Sequence, residues 1–305
     1  MPKYNITRLN FREVQIPAAG QGMAADVSLS VTNDYPISLE IPALGFDILV
    51  PNCASDEPYI LLADAITESI LVQPYSDVQV DVGGIVRQLP DTLTTTCPNS
   101  DSSPLDLLLG DYIHGQDTTV FVRGSNAPAV DTPEWITKIM SSVTVPVPFP
   151  GHTFNNLIRN FSLTDVQFGL PDPYAEPGTP KSNPSISGNI EVLAALPKEM
   201  NFGINVSRVR ADADVFYKGK KLGVLELKKW QAANSTKMTE DGIPSIKIVS
   251  QIRDAPLNIT DEDVFDDVVQ ALLFGGRPVV LKVKALVDVE VGTVLGEFII
   301  RDVPG

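Results

Sequence analysis

The chain has 305 residues, of which 43% are apolar and 20% charged, the balance of a folded protein rather than a disordered one. Its formal net charge of −15 is unevenly spread: residues 1–150 hold 6 Lys and Arg against 18 Asp and Glu, and residues 151–305 hold 17 against 20. So acidic a first half repels nucleic acid and anionic membranes, which argues against DNA or RNA binding, and the length leaves room for two domains.

Tyr4 to Ile16 reads as a first strand, with Ile6, Leu9, Phe11 and Val14 spaced too irregularly to fix a register. Gly20-x-Gly22-x-x-Ala25 has the spacing of a dinucleotide fingerprint but opens a strand rather than a helix, so no cofactor is expected there. From Val27 to Val50 two strands meet at a polar corner. Val27, Leu29 and Val31 alternate with polar residues, Asn33-Asp34-Tyr35-Pro36 turns the chain, and Ile37, Leu39 and Ile41 resume an apolar face. After Pro42 the phase moves to Leu44, Phe46, Ile48 and Val50, which implies a bulge or bend. Tyr59 to Leu71 and Asp77 to Val86 read as further strands. Ser103-Pro104 then introduces a short helix stopped at Gly110, followed by a strand from Thr118 to Arg123. Thr132-Pro133-Glu134 starts another helix, expected to carry Trp135, Ile136 and Ile139 inward, before the Pro-rich VPVPFPG at Val145 to Gly151.

The second half repeats this order. Ile190 to Val206 has a strand, a corner at Leu196-Pro197 and a second alternating run, as Val27 to Val50 does. Val209 to Tyr217 then leads to a Lys218-Gly219 turn. Val224 to Trp230 and Ile246 to Ile252 match the later strands of the first half. A helix opening at Thr260-Asp261 ends near Gly275-Gly276, and Val279 to Val283 matches Val120 to Val122. The offset is 163 from Val27 to Ile190 and 165 from Gly110 to Gly275, so the register holds across both halves. This is an internal duplication of a β-rich unit with a helix in each copy, with domains expected at 1–150 and 151–305.

Residues able to carry chemistry are few. His114 and His152 are the only histidines, and neither a Gly-x-Ser-x-Gly elbow nor a P-loop occurs, so catalysis is not expected. Asp261, Glu262, Asp263, Asp266 and Asp267 form the densest acidic cluster; their spacing lacks the regular EF-hand loop and suits a helix N-terminus and its solvated face, so no metal is expected. Lys218, Lys220, Lys221, Lys228 and Lys229 are the main basic concentration, a candidate patch for an anionic partner if the turn and the following strand bring them together. Trp135 and Trp230 read as core or interdomain anchors. Cys53 and Cys97 are either two buried thiols or one disulfide, which would contribute about 4 kcal/mol on a chain-entropy estimate. Five sequons, at Asn5, Asn160, Asn205, Asn234 and Asn258, favour a secretory route, although the N-terminus lacks the apolar core of a signal peptide and no run of about 18 apolar residues occurs. The chain is therefore expected to be the lumenal part of a longer protein whose targeting and membrane segments lie elsewhere.

The corner VSLSVTNDYPISLEI, the short helix before Gly110 and the strand after it resemble the group 2 late-embryogenesis-abundant domain, a fibronectin-III-like β-sandwich with one helix. More specifically, the chain resembles the lumenal region of a fungal vacuolar membrane protein family built from tandem copies of such domains. The residues that carry the resemblance are IHG at Ile113 to Gly115, VPVPFPG, FGLPDP at Phe168 to Pro173, LPKEMNF at Leu196 to Phe202 and GVLELKKWQAANS at Gly223 to Ser235. The resemblance implies a mainly β fold of two tandem fibronectin-III/immunoglobulin-like β-sandwich domains, each with one or two short helices. It also implies a non-enzymatic glycoprotein module on the lumenal side of the vacuolar membrane, attached through a segment outside this chain, with protein partners and a role in terminating autophagy. It supplies no catalytic residues, metal or cofactor. A second expectation is a carrier of an apolar, lipid-like ligand in a cavity of the sandwich; a filled core would favour the interaction module.

Overall fold

The computed structural model describes residues 4–16, 20–126, 132–149, 151, 158–172, 174–176, 179, 182–196, 200–274 and 279–304. His152, Pro197, Gly275 and Gly276, among the positions singled out above, lie outside them. The chain divides into two compact units. Unit 1 comprises Met1–Phe154 with two short later segments, Pro197–Gly203 and Gly292–Phe298. Unit 2 comprises Asn155–Leu196, Ile204–Val291 and Ile299–Gly305.

Unit 1 is built on β1 (Tyr4–Ile16), β2 (Gly20–Thr32), β4 (Gly45–Pro51), β5 (Tyr59–Thr67), β7 (Asp77–Val86), β8 (Thr118–Ser125) and β9 (Thr144–Phe149), with a small ribbon of β3 (Leu39–Ile41) and β6 (Ile70–Val72) outside the main sheet. Its helices are α1 (Asp91–Thr94), α2 (Pro104–Ile113) and α3 (Glu134–Ser141). β12 (Met200–Asn201) joins the edge of the sheet in parallel beside β1, pairing Phe11 with Met200. Along β5 the buried residues are Ile60, Ala63, Ala65 and Thr67, the near-alternation of a strand with one face in a core. β4 buries the adjacent Leu49 and Val50, and the register against β5 shifts between Ile48 and Leu49. The expected bulge thus lies some six residues past Pro42. At such a shift two successive side chains can share a face.

α2 begins with a capping box: the Ser103 hydroxyl accepts from the Asp106 N–H while the Asp106 carboxylate accepts from the Ser103 N–H, with Pro104 in the first turn. It runs through Gly110 to Ile113 instead of stopping at the glycine. A helical glycine costs only about 1 kcal/mol, and Leu105, Leu108 and Leu109 offset it by packing with Val50, Ile60 and Leu93. Leu93 is supplied by α1, an element without periodicity in the sequence.

Unit 2 contains β10 (Ile158–Gly169), β11 (Ser185–Ala195), β13 (Asn205–Tyr217), β14 (Lys220–Glu240), β15 (Ile243–Ile259), α4 (Glu262–Phe274), β16 (Leu281–Thr293) and β17 (Gly296–Pro304), the last two extending into unit 1 at Gly292–Phe298. Asp261 caps α4, its carboxylate accepting from the Val264 N–H at 3.1 Å. Val264 and Val268 of that helix enter one core with Ile186, Val215, Leu222, Ile252, Leu257 and Ala285, and Leu163 and Phe168 of β10 pack against it. Strands from across the sheet thus share one sandwich-like interior under α4.

The duplication expected from the sequence is visible in the wiring. The first sheet runs β1-β2-β7-β5-β4-β8-β9 after its β12 edge, and the second runs β10-β11-β15-β14-β13-β16-β17. Each strand of the second sheet occupies the place of its counterpart in the first, and the helix before the penultimate strand, α2 or α4, is matched as well. The protein is mainly β, with sandwich-like sheets in two tandem units.

Two expectations about side-chain direction fail. In α3, Trp135 and Ile139 are 66% and 59% exposed. The helix packs on β8 along its other row, where a Cβ at Gly124 would collide with Met140, so Trp135 and Ile139, four residues apart, line the outer face. In the corner, Ile37 and Leu39 are 48% and 45% exposed. Pro36 and Pro42 bound this stretch and leave a strand of only three residues, which pairs with β6 alone and half-buries Ile41.

Candidate interaction surfaces

The basic residues do not form one patch. Lys218 (φ +47°) and Gly219 (φ +84°) make the left-handed two-residue turn between β13 and β14, and Lys220 pairs across it with Tyr217. Lys228 and Lys229 lie eight residues further along the extended β14, about 26 Å away at the usual rise per residue. Several of the charges are already engaged. Lys221 pairs with Asp214 at 2.7 Å, Lys228 with Glu226 at 2.8 Å, and the Lys218 ammonium stands 4.7 Å from the centre of the Tyr217 ring. The Glu226 hydrogen bond, reinforced by its charge, raises the Lys228 pKa above the ordinary lysine value. Lys220 and Lys229 are exposed, one in each group. The strand therefore carries two small mixed-charge groups rather than a single anion-binding surface.

Trp230 is half-buried on β14 with Arg208 and Arg210 over its ring, their guanidinium carbons 5.6 and 4.9 Å from its centre. Both arginines reach β16: Arg208 pairs with Glu290, and Arg210 with Asp288 at 2.7 Å. The Arg208 hydrogen bond holds the Glu290 carboxyl below its ordinary pKa against the opposing effect of burial, and the Ser207 hydroxyl donates a further bond at 2.9 Å. This layer ties two strands together and gives Trp230 an anchoring role.

Cys53 and Cys97 form a disulfide with Cα atoms 5.5 Å apart. It joins the loop after β4 to the segment between α1 and α2, linking the chain three residues past Val50 to the chain four residues past Leu93, both members of one buried cluster. The sequons differ in access. Asn5, Asn160, Asn205 and Asn234 are exposed, whereas Asn258 is half-buried, its side-chain oxygen accepting from the Asn183 amide at 2.7 Å. The Asn205 side-chain oxygen accepts from the Ser235 hydroxyl at 3.0 Å, and Ser235 in turn accepts from the Val206 N–H.

Asp261 works as the cap of α4, and Glu262 and Asp263 occupy its first turn, where the helix dipole favours negative charge. Asp266 and Asp267 are exposed further along it. Among the described residues no group of three or more His, Cys, Asp and Glu is placed to hold a metal ion, and no helix is long and apolar enough to cross a membrane. His114 caps the end of α2, its Nδ1 2.7 Å from the Gly110 carbonyl oxygen.

The surface that the sequence did not announce is the β3–β6 ribbon and its approaches. Tyr35, Ile37, Leu39, Leu71 and Tyr75 are 66, 48, 45, 59 and 70% exposed. Leu39 opposes Val72 and Glu40 opposes Leu71, so Leu39 and Leu71 lie on opposite faces and the ribbon presents apolar groups on both. It is held out by its neck. The Asn33 amide donates to the Gln73 carbonyl at 2.7 Å, its oxygen accepts from the Tyr35 N–H, and the Tyr75 N–H donates to the Tyr35 carbonyl at 3.1 Å. At the base, buried Thr67 exchanges two bonds with Leu44. Tyr75 adopts φ +51°, an uncommon conformation for a non-glycine residue that these bonds hold in place. The signal available in the sequence was Pro36, Pro42 and Pro74, which cut the two runs too short to cross a sheet.

With this geometry in view, comparison with known proteins gives one family. Residues 200–305 match the model described as the Tag1 C-terminal domain. The match spans β12 to β17 with α4, that is, unit 2 after its first hairpin together with residues 200–203 and Gly292–Phe298 of unit 1. No curated protein matches the chain.

Proposed function

We propose that this chain is a non-enzymatic interaction module of a Tag1-like protein, working on the lumenal side of a fungal vacuolar membrane and taking part in the termination of autophagy. The observation that carries this reading is the match of residues 200–305 to the Tag1 C-terminal domain. The wider likeness of both halves to late-embryogenesis-abundant domains accords with it. The Cys53–Cys97 disulfide and the exposed sequons suit an oxidising compartment. The interaction-module reading is favoured over an apolar-ligand carrier by the interior of unit 2, where Leu222, Leu257, Val215, Val268 and Ile252 are at most 1% exposed and meet in one cluster.

The test is mass spectrometry of the intact protein secreted from a fungal host, with and without glycosidase and reductant. Glycan mass at Asn5, Asn160 and Asn234, with the lowest occupancy at half-buried Asn258, and a reducible disulfide are the expected result. A chain of bare mass with two free thiols after passage through the secretory route would overturn the lumenal reading. Co-purified lipid mass would restore the carrier.

A further inference from the structure

We infer that the β3–β6 ribbon of unit 1 is a docking element for a protein partner whose contact surface is an apolar stripe flanked by Lys and Arg. The inference rests on the interaction-module reading and names the kind of partner it takes.

Two observations carry it, and the first is the exposure of large apolar side chains on a short ribbon. A two-stranded ribbon is marginal in water by itself, yet this one displays two tyrosines, an isoleucine and two leucines on a neck closed by the Asn33–Gln73 and Tyr35–Tyr75 bonds and a base closed by Thr67. Tyrosine and large aliphatic groups on a preorganised backbone are the composition of binding anchors, because little conformational entropy is lost when they are covered. β2 and β7 pair in unbroken register from Met23–Val86 to Thr32–Asp77, and β6 lies beside β7 with Ile41, Ile70 and Val72 half-buried, so the ribbon has a partly covered side and still leaves the five larger groups exposed.

The second observation is charge. Residues 33–42 and 68–77, which make the ribbon and its approaches, include Asp34, Glu40, Glu68 and Asp77 and not one Lys or Arg. An apolar centre with a purely acidic rim is repelled by anionic lipid and by a second copy of itself, and attracts an apolar surface bordered by cations.

The probe is a synthetic amphipathic helix with leucine on one face and lysine on its flanks, beside a counterpart with glutamate for lysine, titrated against the full 305-residue chain. The lysine peptide should bind and the glutamate peptide should not. Tyr35→Ser with Tyr75→Ser should weaken binding at least tenfold, and Asp34→Lys with Glu40→Lys, which leaves Glu68 and Asp77 and so neutralises the rim, should remove the preference between peptides. Asp56→Asn with Glu57→Gln, an exposed acidic pair elsewhere, should leave binding unchanged, and the melting temperatures of all variants should stay with the wild type. Equal binding by wild type and ribbon variants, or no binding of the lysine peptide, overturns the inference. So does ribbon-dependent binding to phosphatidylcholine or phosphatidylserine vesicles, or a dimer that the tyrosine variants dissociate. None of these outcomes touches the glycan and disulfide test of the lumenal reading, so the two fail separately.

Discussion

The two units carry the same strand order and are stabilised in different ways. Unit 2 gathers residues of β10, β11, β13, β14, β15, β16 and α4 into one interior. Unit 1 divides its interior into smaller clusters, one around Met23, Ala63, Val86 and Leu295 and another around Val50, Ile60, Leu93 and Leu105. It also uses Phe202, Leu295 and Phe298 from its two late segments and a disulfide. The places where the copies diverge are the connections. Between β2 and β4 the chain makes one strand of the exposed ribbon, whereas the segment in the corresponding position between β11 and β13 supplies β12 to the first sheet. Between β5 and β7 it makes the ribbon's other strand, whereas β14 and β15 pair as far as Glu240–Ile243 across a tight Asp241-Gly242 turn. Strand alternation thus preserves the wiring, and the copies diverge in the segments that connect the strands.

The largest expected effect tests the dependence of unit 1 on its covalent link. Replacing Cys53 and Cys97 with serine should cost about 4 kcal/mol on the chain-entropy estimate for the loop between them. Hydrogen exchange should then rise in β4, β5 and the α1–α2 region while β14 and β15 keep their protection. An equal rise in both units would break the contrast.

Next in size is a matched pair of core truncations. Leu222 in unit 2 and Leu93 in unit 1 are both fully buried. Leu222→Ala opens a cavity inside a large interlocked cluster and should cost about 4 kcal/mol. Leu93→Ala lies on the four-residue α1, which can settle into the space, and should cost about 2 kcal/mol. Denaturant unfolding of the two variants decides the point, and equal costs would mean that the smaller cluster is packed as rigidly as the larger.

How much of this was legible in the sequence follows from which forces act locally. The strands, the duplication and the helix caps at Ser103 and Asp261 were legible because alternation, repeat offset and capping chemistry are written in neighbouring residues. The exposure of Ile37, Leu39, Trp135 and Ile139 was not, since apolar alternation and helical spacing report that a face exists and not whether anything covers it. The dispersal of the five lysines was hidden for a related reason. Positions 218 and 228 are close in sequence, but the first eight residues of β14 lie between them in extended conformation. The disulfide stood open between two readings because pairing depends on a Cα separation that only the fold sets.

A smaller effect is expected at α3, an element of unit 1 absent from the strand pattern the copies share. A methyl group at Gly124 would run into Met140 and its backbone, so Gly124→Ala should push the helix off β8 at about 2 kcal/mol. Amide exchange confined to Glu134–Ser141 should rise, and an unchanged helix would show that α3 is held by contacts other than this close approach.

The smallest effect lies in a strand pair that both copies possess. On β4 and β8, Asp47 pairs with Arg123 at 2.7 Å; on β13 and β16, the counterparts, Arg208 and Arg210 pair with Glu290 and Asp288. The sign of each strand is reversed and the pairing is kept. Because Arg208 lowers the Glu290 pKa below its ordinary value of 4.5, the unfolded chain takes up a proton before the folded one as acid is added. The stabilisation from Glu290 is therefore complete above about pH 4.5 and drains away as pH falls through the lower folded value. With Arg208 half-exposed, solvent limits the contribution to about 1 kcal/mol. Glu290→Gln should then lower stability by that amount at neutral and mildly acidic pH, with the difference from wild type closing only in stronger acid. The absence of any gap at neutral pH would mean that the carboxyl titrates normally and that Arg208 serves Trp230 alone.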